Sequence, residues 1–224
     1  MPVITPHHEG RSVVLIGDFN PRIFQPSWLI AEKLLRHDAL EEIETAQKAG
    51  AQELIVSSEI TAFSCLWVTL QVTKQRFFVS STTPQHFLAL LDLIVGMFTL
   101  LRYTPVNMMG VNHDIHVQMP SEGKWHDVGD TLVPKQPWQT LLDRPGMNAV
   151  AVQGTRKSCD AARVVVKVQP SPDVKHGVYI HINEHYDGFA GSVEEAMKTL
   201  QRAWLPAKSF AQEVMETLLN PHFD

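Results

Sequence analysis

Hydrophobic and polar residues alternate along several short stretches of the chain, and this two-residue period is typical of half-buried β-strands. Alternation predicts strands over 63–72, 161–168 and 177–186. Short apolar runs next to turn residues predict further strands over 12–19, 76–81, 104–119 and 147–154. Apolar residues with helical spacing follow four polar residues that can each cap a helix, namely Ser27, Asp38, Thr83 and Ser192.

Two of these helical segments have further features that affect the fold. Residues 84–101 are apolar almost all the way round, so we expect this helix to be buried on most sides. The terminal helix begins with a capping box of Ser192 and Glu195. Pro206 is expected to interrupt it, although the apolar spacing continues to Leu218.

Both halves of the chain place strands first and a helix last, and this order predicts an α+β fold. The fold is expected to contain either two related lobes or one continuous, mostly antiparallel sheet with helices packed on one face. A polar loop rich in glycine and proline provides the predicted boundary. We therefore expect an N-terminal α+β lobe over 1–119, a connecting loop over 120–146, and a strand-rich lobe with a long terminal helix over 147–224.

The composition is that of an ordinary globular protein, with 224 residues, 44% hydrophobic and 19% charged residues. A net charge of −5 weighs against a nucleic-acid partner, because phosphate backbones attract basic surfaces. A local basic group is the alternative, formed by Arg156, Lys157, Arg163 and Lys167.

The chain carries no pattern of a secretion signal or a membrane span. Its longest apolar run, 87–101, is interrupted by Asp92, whereas a membrane span needs about 20 residues. The two cysteines, Cys65 and Cys159, form no paired motif and are expected to be reduced thiols in the core. We therefore predict a cytoplasmic protein without membrane contact.

The stretch HINEHYDG, residues 181–188, is the densest group of potential ligand side chains. On a strand, His181 and His185 share a face but lie roughly 13 Å apart, at about 3.3 Å per residue. A single zinc ion needs both nitrogens at about 2.0 to 2.1 Å, so this stretch alone predicts no metal site.

A second histidine group, NHDIH at 112–116, has a related difficulty, since His113 and His116 point to opposite faces of a strand. A metal-dependent hydrolase would need both stretches to converge, with His113, His116, His181 and His185 as candidate ligands. No phosphate-binding glycine motif is present, so no cofactor is predicted. The catalytic residues of such an enzyme stay unidentified.

The predicted hairpin of 161–168 and 177–186 provides a candidate interaction surface. Its inner row is aliphatic, whereas its outer row mixes basic, aromatic and amide side chains. Such a face suits contact with a protein partner or a second subunit. The predicted interaction surface comprises Arg163, Lys167, Tyr179, His181 and Asn183. The leading hypothesis is therefore a non-enzymatic interaction module that self-associates or binds another protein, and the alternative is the metal-dependent hydrolase.

Three stretches carry a family resemblance: RFFVSS before a helix, YTPVNMMGVNHDIHV as a long strand, and VYIHINEHYDG before the terminal helix. Over about residues 60–220, this order resembles a family of sporadically distributed, uncharacterised prokaryotic proteins. Its members have Arg-Tyr-x-Asn where this chain has Gly110-Val111-Asn112, so the match to the strand motif is partial. The resemblance implies an α+β fold and a prokaryotic origin, but it assigns no activity or catalytic residue.

Overall fold

A computed structural model describes residues 4–50, 54–157 and 162–223 of the chain. Within these ranges the strands are β1 (His8–Gly17), β2 (Ile55–Val56), β3 (Ile60–Cys65), β4 (Val68–Thr73), β5 (Arg76–Ser81), β6 (Val106–Gln118), β7 (Val150–Thr155), β8 (Arg163–Pro170) and β9 (Gly177–Tyr186). The helices are α1 (Pro26–Ala31), α2 (Asp38–Lys48), α3 (Phe87–Leu100), α4 (Glu122–Leu132) and α5 (Val193–Leu219).

The described strands form one open, antiparallel sheet, with the order β2-β3-β4-β5-β1-β6-β9-β8-β7. This arrangement confirms the predicted α+β class. Of the two predicted forms, the strand order matches the continuous antiparallel sheet.

The chain forms two compact units, each assembled from separate segments. Unit one contains residues 1–9, 112–184 and 205–224, and unit two contains residues 10–111 and 185–204. Strands β1, β6 and β9 and helix α5 each contribute to both units.

The core of unit two is aromatic. The ring centroid of Phe77 lies 5.0 Å from that of Phe98 and 5.4 Å from that of Phe24. Beside this core, the guanidinium of Arg11 lies 3.6 Å from the ring centroid of Trp204 and donates a 2.7 Å hydrogen bond to the Trp204 carbonyl. The flat cation is thus accommodated in the interior by an aromatic face and a backbone acceptor.

The prediction of one strand over 63–72 is wrong, because the chain reverses direction within it. Strands β3 and β4 pair as a hairpin with Cys65 opposite Val68, which leaves Leu66 and Trp67 in the turn. Leu66 adopts a positive φ of 52°, and its N–H donates a 2.7 Å hydrogen bond to a Glu42 carboxylate oxygen. Neither turn residue is the glycine or asparagine that usually marks such a turn.

Two further expectations about elements require correction. The stretch predicted as a loop over 120–146 contains helix α4, and the Ser121 side chain caps that helix by accepting from the Lys124 N–H at 3.2 Å. Helix α5 also continues through Pro206 rather than stopping there. Trp204 and Ala207, on either side of the proline, are both buried, and this packing outweighs the lost backbone hydrogen bond.

Unit one carries the elements of the candidate site. Strands β7 and β8 pair antiparallel, with Val152 opposite Val166 and Gln153 opposite Val165. Side chains at even positions of β7, β8 and β9 share one face. The ion pair between Arg156, just after β7, and Glu184 of β9 lies on this face. The opposite face carries the odd positions, and we refer to it as the outer face.

Candidate functional site

Six polar side chains on two strands of unit one form a continuous row on the outer face. The row consists of Asn112, Asp114 and His116 from β6 and Tyr179, His181 and Asn183 from β9. Each member contacts another, as described below. Their intervening neighbours on both strands are mostly buried apolar residues.

Asp114 occupies the centre of this row. Its Oδ1 accepts a short hydrogen bond from the Tyr179 hydroxyl and lies 2.8 Å from Nδ1 of His181. Burial alone would raise the pKa of the Asp114 carboxyl, but the hydrogen bonds from His181 and Tyr179 outweigh burial and lower it. The pKa of Tyr179 is raised, first by burial and then by its hydrogen bond to Asp114. This group therefore holds a carboxylate together with a phenol in its protonated form.

His116 has a separate set of partners. Its Nδ1 lies 2.8 Å from the Ser171 hydroxyl oxygen, and its ring centroid lies 4.6 Å from that of Tyr179. Burial lowers the pKa of His116, and this effect prevails over the opposing attraction of Asp173. The side chain is therefore held toward its neutral form.

Ser171, His116 and Asp173 resemble a nucleophile triad in composition, but their geometry does not match one. The Ser171 oxygen accepts hydrogen bonds from the N–H groups of Asp173 and Val174, at 3.2 and 3.0 Å. Ser171 is thus a turn cap in the β8–β9 connection. His116 Nε2 lies 3.6 Å from the Asp173 carboxylate, beyond hydrogen-bond range.

At the other end of the row, Asn183 donates a 2.6 Å hydrogen bond to the side-chain carbonyl of Asn112. The predicted interaction residues Tyr179, His181 and Asn183 are therefore on one face, and each is linked to β6. Arg163 and Lys167 lie on the same side of β8, opposite Thr155 and Ala151 of β7. The outer face is thus polar and partly exposed across β6, β9, β8 and β7.

The four histidines do not form a metal centre. His113 is buried on the face opposite His116. His185 lies 3.8 Å from Asp187, whereas His181 is bonded to Asp114. Among the residues that the structure describes, no three His, Cys, Asp or Glu side chains are arranged to hold a metal ion. The metal-dependent hydrolase hypothesis is therefore not supported.

Burial limits what Cys65 and one member of the predicted basic group can contact. Burial, followed by the charges of Glu42 and Asp38, raises the pKa of the Cys65 thiol to about 12, so the thiolate is scarce near neutral pH. Cys65 is a buried free thiol, as expected, and Cys159 lies outside the described residues. Arg156 is buried in its ion pair with Glu184 and, unlike Lys157 and Arg163, presents no exposed charge to a nucleic-acid backbone.

Sequence patterns did not identify two features beside this face. Strand β7 is last in the strand order and is almost fully exposed, with 65% of Val152 accessible to solvent. Between β7, β8 and the second half of α5 lies an open cavity of about 580 Å³. We call it the α5 cavity. Both features depend on which elements lie next to each other in the fold. Alternation along a single strand carries no information about its neighbours.

No protein-family model matches the sequence, and no curated protein matches it at a significant level. In the described part of the chain, none of the helices combines the length and apolar character needed to cross a membrane. The family resemblance stated above therefore stays a prediction.

Proposed function

We propose that the protein is a non-enzymatic interaction module of the cytoplasm, and that it self-associates through the free edge of β7. The observation that supports this proposal is that no strand among the described residues pairs with that edge. Natural sheets usually protect an edge strand with charged side chains, proline or very short length. Strand β7 has the sequence VAVQGT and uses none of these devices. Strand β2, at the other end of the strand order, contains only two residues.

Backbone geometry indicates which groups of β7 a second chain would bind. The Arg156 N–H donates to the Ala162 carbonyl, which continues the pairing of β7 with β8. Backbone groups at alternate positions point to the same side of a strand, so residues 150, 152 and 154 also face β8. The N–H and C=O groups of Ala151, Gln153 and Thr155 therefore point along the free edge.

A second copy is the occupant that this edge suits best. Two β7 strands related by a two-fold axis would run antiparallel, with Gln153 opposite itself and Ala151 opposite Thr155 of the other copy. No charged side chain of β7 would oppose another across this pairing. The outer face, with its predicted interaction residues, would then extend over both copies.

Gln153→Pro tests this pairing directly. Proline removes the outward N–H of residue 153 and leaves the hydrogen bonds between β7 and β8 in place. Two hydrogen bonds would be lost per symmetric dimer, at about 0.5–1.5 kcal/mol each, so we expect dissociation to be at least about fivefold more favourable. Light scattering coupled to size-exclusion chromatography measures the mass over a concentration series.

Gln153→Ala is the matched control, because it shortens the same side chain and retains the N–H. We expect this variant and the original chain to form dimers of similar affinity. Gln153→Pro should dimerise at least about fivefold more weakly, and circular dichroism should show that it is folded. A strict monomer at about 100 µM, or a Gln153→Pro variant that dimerises as tightly as Gln153→Ala, would contradict the proposal.

A further inference from the structure

We infer that the α5 cavity binds an elongated acyl ligand, whose carboxylate or carbonyl oxygen accepts a hydrogen bond from Arg156. Its volume of about 580 Å³ lies within the range of small-molecule sites, about 300–1,000 Å³. The cavity lies wholly among residues of unit one. This inference does not depend on self-association through β7.

The cavity walls are suited to a hydrocarbon chain. Val152 and Val166 form a cross-strand pair on the sheet side. Phe210, Val214 and Leu218 line the helix side and recur every four residues along α5, so they lie on one helix face. An acyl chain between these walls would remove apolar surface from water on both sides.

Arg156 supplies a polar group that is already desolvated. Only 6% of its surface is exposed, and its Nη1 donates to both oxygens of Glu184, at 2.9 and 3.1 Å. Its Nε–H is buried and makes no hydrogen bond within the part of the chain that the structure describes. A buried donor without an acceptor is costly, so an oxygen from a bound ligand would compensate for its lost hydration.

The charges around the cavity decide between head groups. The Arg156 charge is balanced by Glu184. The cavity lining also contains one further cation, Lys157, and one further anion, Glu213. A cationic head group would be attracted to Glu213 but could not accept from Arg156 Nε. An acyl oxygen satisfies that donor, whether it belongs to a free carboxylate or to an ester.

Three ten-carbon probes separate these cases by calorimetric titration. Decanoate carries an anionic acceptor, 1-decanoylglycerol carries neutral ester and hydroxyl oxygens, and decyltrimethylammonium carries no acceptor. We expect at least one of the oxygen-bearing probes to bind at least tenfold more tightly than the ammonium probe. The stronger of the two identifies the carboxylate or the ester as the natural head group. Equal binding of all three probes, or binding of none, would overturn the inference.

Variants then locate the binding. Thr217→Trp and Val214→Trp both place a bulky ring in the cavity, and the exposed position of Thr217 makes the first substitution safe for folding. Each should weaken binding at least tenfold, whereas Leu205→Trp, at an exposed position of α5 outside the cavity, should leave it unchanged. If folded Thr217→Trp binds as well as Leu205→Trp, the ligand is not in this cavity.

The role of Arg156 requires a double variant, because removing one partner would leave the other charge buried. Arg156→Met with Glu184→Leu should remove the tenfold preference for an oxygen head group and retain the apolar cavity. An unchanged preference in this double variant would overturn the assignment of the head group. Gln153 also borders the cavity, so acyl binding is measured on the original chain and on the cavity variants rather than on the Gln153 variants. The binding test can therefore fail or succeed independently of the mass measurement on Gln153→Pro.

Discussion

At the scale of single residues, the outer face depends on how Asp114 is kept ionised. Its carboxylate is partly buried, which by itself favours protonation. His181 and Tyr179 both hydrogen-bond to its Oδ1, and together they reverse that preference. Asp114 therefore joins β6 to β9 through interactions that require its charge.

Asp114→Asn should lower the stability of the fold at pH 7 by about 1 kcal/mol, a figure that allows for solvent screening of a partly exposed group. The pKa of Asp114 is lower in the folded chain than in the unfolded chain, where a carboxyl of this type titrates near 3.9. Its contribution is therefore complete above that value and is lost as the pH falls through the folded pKa. Urea unfolding between pH 7 and pH 3 measures the change.

Asp143→Asn is a suitable control, because the Asp143 side chain is 90% exposed. We expect this control to change the free energy of unfolding by less than about 0.5 kcal/mol at every pH. A loss in Asp114→Asn that stays constant from pH 7 to pH 3 would show that the carboxylate charge is not the cause.

The sequence identified some members of this network but not its centre. Alternation correctly placed Tyr179, His181 and Asn183 on one face, because side-chain direction is a local property of a strand. The same rule placed His113 and His116 on opposite faces. It could not show that His181 meets Asp114, because that contact depends on the register between two distant strands.

At the scale of elements, the turn between β3 and β4 holds a leucine in a conformation that favours glycine. Leu66 has a φ of 52°, which costs an ordinary residue roughly 1–2 kcal/mol. The hydrogen bond from its N–H to Glu42 helps to offset this cost. Because the turn lacks glycine and asparagine, the apolar run over 63–72 looks like one strand in the sequence.

Leu66→Gly should be more stable than Leu66→Ala by about 1 kcal/mol, since only glycine relieves the positive φ without strain. Both variants lose the same leucine contacts, so their difference isolates the backbone. Thr69, an exposed position of β4, serves as the control. There, glycine should be less stable than alanine by about 0.5–1 kcal/mol. Urea unfolding gives the free energy of unfolding of the four variants. If the glycine variant is less stable than the alanine variant at both positions, or more stable at both, this account is contradicted.

Strong local patterns predicted most elements, and tertiary contacts explain the exceptions. Strands β5 and β9 alternate between buried and less buried positions as expected, and β6 lies within the predicted stretch 104–119. Helix α4 was missed because its sequence contains glycines and few apolar residues, although Ser121 gives it an N-cap. Helix α5 extends past Pro206 because it is packed on both sides of that residue. Local propensity gives no indication of such packing.

At the scale of the whole molecule, composition and element order were sufficient to predict the α+β class. The division into units is harder to predict from the sequence, because each unit combines segments that are far apart in it. A linear boundary at 120–146 does not describe such an arrangement. The α5 cavity has the same property, since its walls come from residues near 152, 166 and 214.

Self-association through β7 predicts that thermal stability depends on protein concentration. If the dimer dissociates as the chains unfold, a higher concentration shifts the equilibrium toward the folded dimer. For a chain of this size, we expect the unfolding midpoint of the original protein and of Gln153→Ala to rise by about 2 °C for each tenfold increase in concentration.

At concentrations at which Gln153→Pro is monomeric, its midpoint should not change with concentration, because its unfolding then involves one chain only. Decanoate or 1-decanoylglycerol should raise the midpoint of the original protein, since the α5 cavity is formed within unit one. Differential scanning calorimetry over a hundredfold range of protein concentration, with and without each probe, measures both effects. A concentration-independent midpoint in Gln153→Ala would contradict pairing through β7 but would not affect the proposal of acyl binding. If neither probe shifts the midpoint, acyl binding is contradicted and pairing through β7 is not affected.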